Sequence, residues 1–245
     1  MKVWWPGAAI AAAVVSVGML NAAHFAVPRL AIAGAGSGAV VLATGAILVG
    51  RRRKNSDELP DGGLTQAVRA WDGGEHNAMQ AWVTDLVGQE AAAHATRTAS
   101  LCQLMAEQLA VPPDNVDQLM LAALAHVAPA AFETGEWRCT AFSREALALA
   151  QSAVLRSGNE DAARIMGQVG ERWDGRGSPD GLLGEAASLR GRILATACAF
   201  DQASASGLEP GLAAIREGSG SIFDPVVAAE LLHLFKEPWQ LRQAA

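Results

Sequence analysis

The chain has 245 residues, enough for one or two domains, with 51% hydrophobic side chains, no tyrosine and a net charge of −6. Its first 54 residues hold six basic side chains and no acid, so residues 55–245 carry −12, a poor partner for a nucleic-acid polymer whose binding relies on clustered lysine and arginine. Three scattered cysteines, Cys102, Cys139 and Cys198, show no CxxC or zinc-finger spacing and read as reduced cytoplasmic thiols acting as small apolar side chains.

Two segments at the start, Trp4 to Val27 and Leu30 to Gly50, contain no charged residue. Each reaches the roughly 20 residues that a helix needs to cross a hydrocarbon core of about 30 Å. They predict a two-helix transmembrane hairpin over residues 1–54, turning at Pro28 and Arg29. The cluster Arg51-Arg52-Arg53-Lys54 holds that flank on the cytoplasmic side, which places both termini in the cytoplasm and the chain in a bacterial inner membrane. A cleaved signal peptide is the rival reading of the first segment. Gly34, Gly36 and Gly38 mimic part of a dinucleotide fingerprint but fit close helix packing better, and His24 reads as an interfacial side chain.

Residues 55–89 read as a linker and connecting helix: "KNSDELPDGG" at 54–63 is polar and broken by Pro60 and two glycines. From Leu64 onward apolar residues recur at helical spacing, predicting helices near 64–89, 90–110, 114–128, 143–156, 159–172, 185–206 and 225–236. The breaks agree, with "VPPD" before the third and "SGNED" before the fifth. The expected fold is all-α, a multi-helix domain over residues 90–245 behind the transmembrane hairpin. His76, in the polar break "DGGEHN", reads as solvent-exposed.

One loop interrupts this regularity: "ERWDGRGSPDGLLG", Glu171 to Gly184, with four glycines and a proline among charged residues. It lacks the Gly-Lys-Ser/Thr end of a Walker-type phosphate cradle. Extended through the predicted helix after it, the loop becomes a stretch, Glu171 to Ser204, that resembles the second half of an HD-GYP domain. That family is a helical branch of the HD phosphohydrolases associated with bacterial cyclic di-GMP signalling. Glu171-Arg172-Trp173-Asp174-Gly175 is similar to the end of the family's HHExxDG element, and Gly177-Ser178-Pro179 stands where the family has Gly-Tyr-Pro. Gly181-Leu182, Gly184, Leu189, Arg192-Ile193-Leu194 and Phe200-Asp201 come at the family's spacing, and "REGSGSIFDPVV", Arg216 to Val227, is similar to its closing element. His94 to His126 resembles the opening helices more faintly.

The resemblance implies a pocket of histidines and carboxylates holding two or three cations that activate water and offset phosphate charge. His94 stands at the family's first His and His126 at the His of the His-Asp doublet, but the doublet reads His126-Val127. The family's later Gly-Lys reads Pro129-Ala130, its two histidines before Glu171 are Val169 and Gly170, and its late Asp is Cys198. Hard divalent ions want anionic oxygen donors, so the resemblance implies a degenerate, catalytically inactive domain with no catalytic residue and no cofactor. Asp174 and Asp201 take loop and helix-anchoring positions. His94, His126 and Cys198 would converge on the old pocket, where they could hold a single zinc or collapse into a core cluster. Cys102 and Cys139 have no histidine near in sequence to make a nucleophile, and His233 in "LLHLF" reads as a helix residue.

Three functions stay open. The expected one is a membrane-anchored signalling or interaction module, meeting a cytoplasmic signalling protein or a second copy of itself through the loop residues Arg172, Arg176, Gly177, Ser178 and Pro179 with Arg192 nearby. The others are a cyclic di-GMP receptor, its phosphates met by Arg172, Arg176 and Arg192, and a residual metal-dependent phosphodiesterase.

Overall fold

A computed structural model describes residues 60–70, 77–133 and 142–235. Helix α1 (Pro60–Arg69) and α2 (Asn77–Leu86) precede the 20-residue α3 (Gln89–Gln108), which lies at the centre of the bundle. Then come α4 (Pro113–Ala125), a 3-10 turn (Ala128–Phe132), α5 (Arg144–Arg156), α6 (Glu160–Gly167), α7 (Leu189–Ala203), α8 (Leu208–Gly218) and α9 (Pro225–Leu234).

Local sequence explains where these helices start. Ser143, Ser188 and Asp224 cap α5, α7 and α9 by accepting from the backbone N–H of Ala146, Gly191 and Val226. Pro113 and Pro225 occupy first-turn positions whose N–H has no helical partner to lose. On α3 the N-terminal half of the packed stripe is rich in alanine, Ala91, Ala92, Ala95 and Ala99, which lets α4 and α7 approach closely. The last seven residues of α4, Leu119 to Ala125, are all buried, so this helix is enclosed where it delivers His126. One core cluster runs from Leu64 and Val68 on α1 through Met105, Leu121, Ile165 and Ile193 to Leu231 on α9.

The all-α expectation holds for the described residues, and the transmembrane part of the fold class is corrected. Among them no helix is long and apolar enough to cross a membrane. Even α3, long enough by count, carries Glu90, Arg97 and Glu107 and gives a stripe to the core instead of an apolar surface to lipid. The inner-membrane localisation with two spans and cytoplasmic termini is corrected on the same ground. The segments 4–27 and 30–50 on which it rested lie outside the described residues, as do His24 and His76. Residues 60–63, read as linker, open α1, and Leu64, Val68, Met79 and Val83 put α1 and α2 into the core. Helix α8 was not anticipated from the sequence.

Candidate functional site

Three helices meet at one buried cluster. His94 comes from the second turn of α3, His126 from the end of α4, and Cys198 and Asp201 from α7. His94 is 2% exposed, and His126 and Cys198 are fully buried. His94 Nε2 lies 3.0 Å from His126 Nε2 and 3.6 Å from Cys198 Sγ, with Thr98 Oγ1 at 3.5 Å. The sequence expectation that His94, His126 and Cys198 converge is met, since their donor atoms lie within 4.8 Å of one another.

The outward side of each imidazole fixes its tautomer. His126 Nδ1 is 2.6 Å from the carbonyl oxygen of Ala123, which only accepts, so Nδ1 carries the proton. His94 Nδ1 lies 2.7 Å from Asp201 Oδ2 and donates to it. Asp201 is held in turn by Arg97, whose Nε and guanidinium nitrogen reach its two oxygens at 2.6 and 2.8 Å. Burial pushes the Asp201 carboxyl up, but the hydrogen bonds from His94 and Arg97 and the positive charge of Arg97 outweigh it and leave it below the usual carboxylate range. Burial, reinforced by His94, pushes His126 down to about 3 against the pull of the Ala123 carbonyl. Both rings thus turn Nδ1 outward to an oxygen and Nε2 inward. The two Nε2 atoms face each other at 3.0 Å, a contact bridged by a proton in a hydrogen bond or by a metal ion.

The resemblance to HD phosphohydrolases implies metal ions, and the donors here decide which kind could fit. Two imidazole nitrogens and a sulfur suit one borderline ion such as zinc. They do not suit a pair of hard cations, because the group contains no carboxylate and Asp201 turns its oxygens to Arg97 and to the far side of His94. The expectation that no cofactor is needed therefore gives way to a candidate His-His-Cys metal site. Of the three cysteines, Cys102 is free and buried, its thiol pushed well up by desolvation, and Cys139 lies outside the described residues.

The loop residues form a separate neighbourhood. Glu171 closes the loop, one carboxylate oxygen accepting from Asp180 N–H at 2.7 Å and the other from Leu182 N–H at 2.8 Å. A side chain at Gly177 would meet the Arg172 backbone nitrogen at 2.4 Å, so only glycine fits there. Ser178 N–H donates to the Gly170 carbonyl, and the Ser178–Pro179 bond is cis. Arg172 is spent on Asp174, whose carboxyl it holds down at about 2. Arg192 pairs with Asp224, donates to the Ala187 carbonyl at 3.1 Å and lies over the Trp173 ring. Arg176 is exposed and Pro179 accepts from Arg144. Between loop and bundle, a cavity of about 10 Å³ lined by Glu171, Trp173, Arg192 and Asp224 has room for about one water. Sequence reasoning missed Arg97 and Asp224. Arg97 had a signal: it lies three residues beyond His94 and so on the same helix face.

This bundle, with a histidine on its central helix and a second at the end of the next, has the architecture of an HD domain. A family model described as "HD domain" matches residues 83–227, and the chain belongs to that family. It is 30% identical over 168 residues to the 3′3′-cGAMP-specific phosphodiesterase 3 of Vibrio cholerae, covering 61% of this chain and 36% of that protein, so the chain spans about a third of its relative's length. Among solved structures, a cyclic GMP-AMP specific phosphodiesterase of Vibrio cholerae aligns at 20% identity over 75% of this chain and 50% of that one, with a TM-score of 0.49. An HDGYP protein from Bdellovibrio bacteriovorus aligns at 16% identity over 81% of this chain and 79% of that one, also at 0.49.

Proposed function

We propose that this chain is a degenerate member of the cyclic-dinucleotide phosphohydrolase group that has lost hydrolysis by paired cations and acts by contact with a signalling protein or a second copy of itself. The carrying observation is that, among the described residues, no bridging oxygen donor joins the His94, His126 and Cys198 cluster. Val127, at the position of the doublet's carboxylate, is fully buried, and the Asp201 carboxylate is engaged by Arg97 and His94 Nδ1. A metal would be held by His94 and His126, with Cys198 once its sulfur is a thiolate, and would supply one Lewis acid without a second to offset phosphate charge. The protein's own groups offer no substitute. Burial of His126 and Cys198 keeps a dinucleotide from their donor atoms, and Arg172 and Arg192 already hold carboxylates.

Contact is supported by the loop's outer face. Leu183 is 66% exposed, and Ile222, whose carbonyl accepts from Trp173 N–H, is 37% exposed. Both are large apolar side chains kept in water beside a rigid loop, where a partner could cover them.

The full chain is to be incubated with 3′3′-cGAMP or cyclic di-GMP and added manganese or iron, with titration calorimetry in parallel. The expected result is no linear product above the blank. Heat of binding without turnover would replace contact by a receptor role, and turnover abolished by His126→Ala would overturn the proposal.

A further inference from the structure

Helix α9 has no polar side. Its sequence, PVVAAELLHL, holds only two polar side chains, Glu230 and His233. Val227, Ala228 and Leu231 are spent on the core, yet the opposite side is apolar too: Val226 is 62% exposed and Ala229 also stands in water. A helix that is apolar all round is normally covered all round. Ile222, exposed just ahead of the helix, carries this side on toward the loop, where Leu183 is exposed as well. We propose that the face made by Ile222, Val226 and Ala229 docks a second copy of the chain, α9 against α9, antiparallel about a twofold axis. This rests on the reading that the protein acts by contact, and it names the contact.

Shape favours a second copy over any other occupant. Val226 and Ala229 stand one turn apart on the uncovered side, one large and one small. Turned end for end, the same pair offers its small residue where the first offers its large one, so each valine seats over the other copy's alanine. A twofold interface requires a surface that is its own complement in this way, and a valine ridge over an alanine gap lets two helices approach.

Charge favours it too. Residues 55–245 carry −12, the chain's −6 less the +6 of its first 54 residues, so two copies repel wherever acid faces acid. Around α9 and the loop the charges are matched instead. Arg172 is bound to Asp174 and Arg192 to Asp224. The exposed Arg144, Arg176 and Arg216 stand against Asp180, Glu185 and Glu217. A face without an excess of either sign selects neither an acidic nor a basic partner, and it is where two acidic chains can meet. The face is small beside the roughly 800 Å² per partner of a stable complex, so the pair is reversible and of micromolar strength.

The full chain is to be followed by light scattering after gel filtration and by sedimentation velocity, from about 1 to about 100 μM. The expected mass rises from one chain to two across that range. Val226→Asp and Ala229→Lys should each weaken association at least about tenfold. Both side chains are in water, and an acid in the first turn of a helix suits its N-terminus, so the fold should persist, which a circular dichroism melt checks. The two changes together should restore the pair, since each new acid then faces the other copy's new base. Leu149→Asp, at an exposed leucine of α5, should leave association unchanged. A chain that stays monomeric, association that survives Val226→Asp, a double variant that remains monomeric, or equal loss in Leu149→Asp overturns the proposal. None of these outcomes touches hydrolysis: a monomer without turnover ends the twofold pairing and leaves contact with a signalling protein standing, whereas turnover ends the functional reading whatever the mass.

Discussion

His126 illustrates how one buried ring couples the site to pH. Its ordinary value near 6.5 falls to about 3 in the fold. Between those values the unfolded chain holds a proton that the folded chain refuses, so stability rises with pH across that window, by up to about 1.4 kcal/mol per pH unit. Asp201 acts in the same sense lower down: its depressed value gives stability that is present above about 4 and lost as pH falls through the folded value. Urea unfolding of metal-free protein should therefore show midpoints climbing from pH 5 to 7, and His126→Gln should flatten that climb. An unchanged slope in the variant would remove His126 from the account.

At the scale of elements, the loop from Glu171 to Gly184 is held by its own backbone more than by side chains. Gly177→Ala forces a methyl group against the Arg172 and Glu171 backbone and is expected to cost about 2 kcal/mol or more. Gly220 has open space around its missing Cβ, so Gly220→Ala pays only for its φ of +77°, about 1 kcal/mol. A thermal melt comparing the two variants checks the order.

The elements also show what was legible beforehand. Periodicity located α3 to α7 and α9 because their buried residues recur at helical spacing, and Ser143, Ser188 and Asp224 cap three of them. Helix α8 was hidden by "GLEPG": Pro210 sits in the first turn, where no helical donor is lost, and Gly211 lets α8 approach α7 where a Cβ would strike Ser204 and Phe200. Residues read as breakers were serving packing. The convergence of His94, His126 and Cys198 was legible only through family resemblance. Arg192, expected to look toward a phosphate, is turned to Asp224, a partner 32 residues away that no local pattern announces.

For the whole molecule, the family match begins at residue 83, yet the core begins earlier. Leu64 is fully buried and Val68 is 1% exposed, and Gly63 sits against the Trp82 indole. Removing residues 1–76 strips α1 from the bundle and leaves its apolar seat in water. Losing the burial of those two side chains costs about 4 kcal/mol, a fall of about 10 °C in melting temperature for a domain of this size. A melt of the shortened chain that matches the full one would show that α1 contributes nothing to the core.

The burial of His94, His126 and Cys198 among α3, α4 and α7 has a kinetic side. No atom enters or leaves their midst until neighbouring helices part, so exchange there is timed by local opening of the bundle and not by diffusion from outside. Whatever condition is sealed in at one moment outlasts the surroundings that set it, which gives a small helical domain a means of remembering.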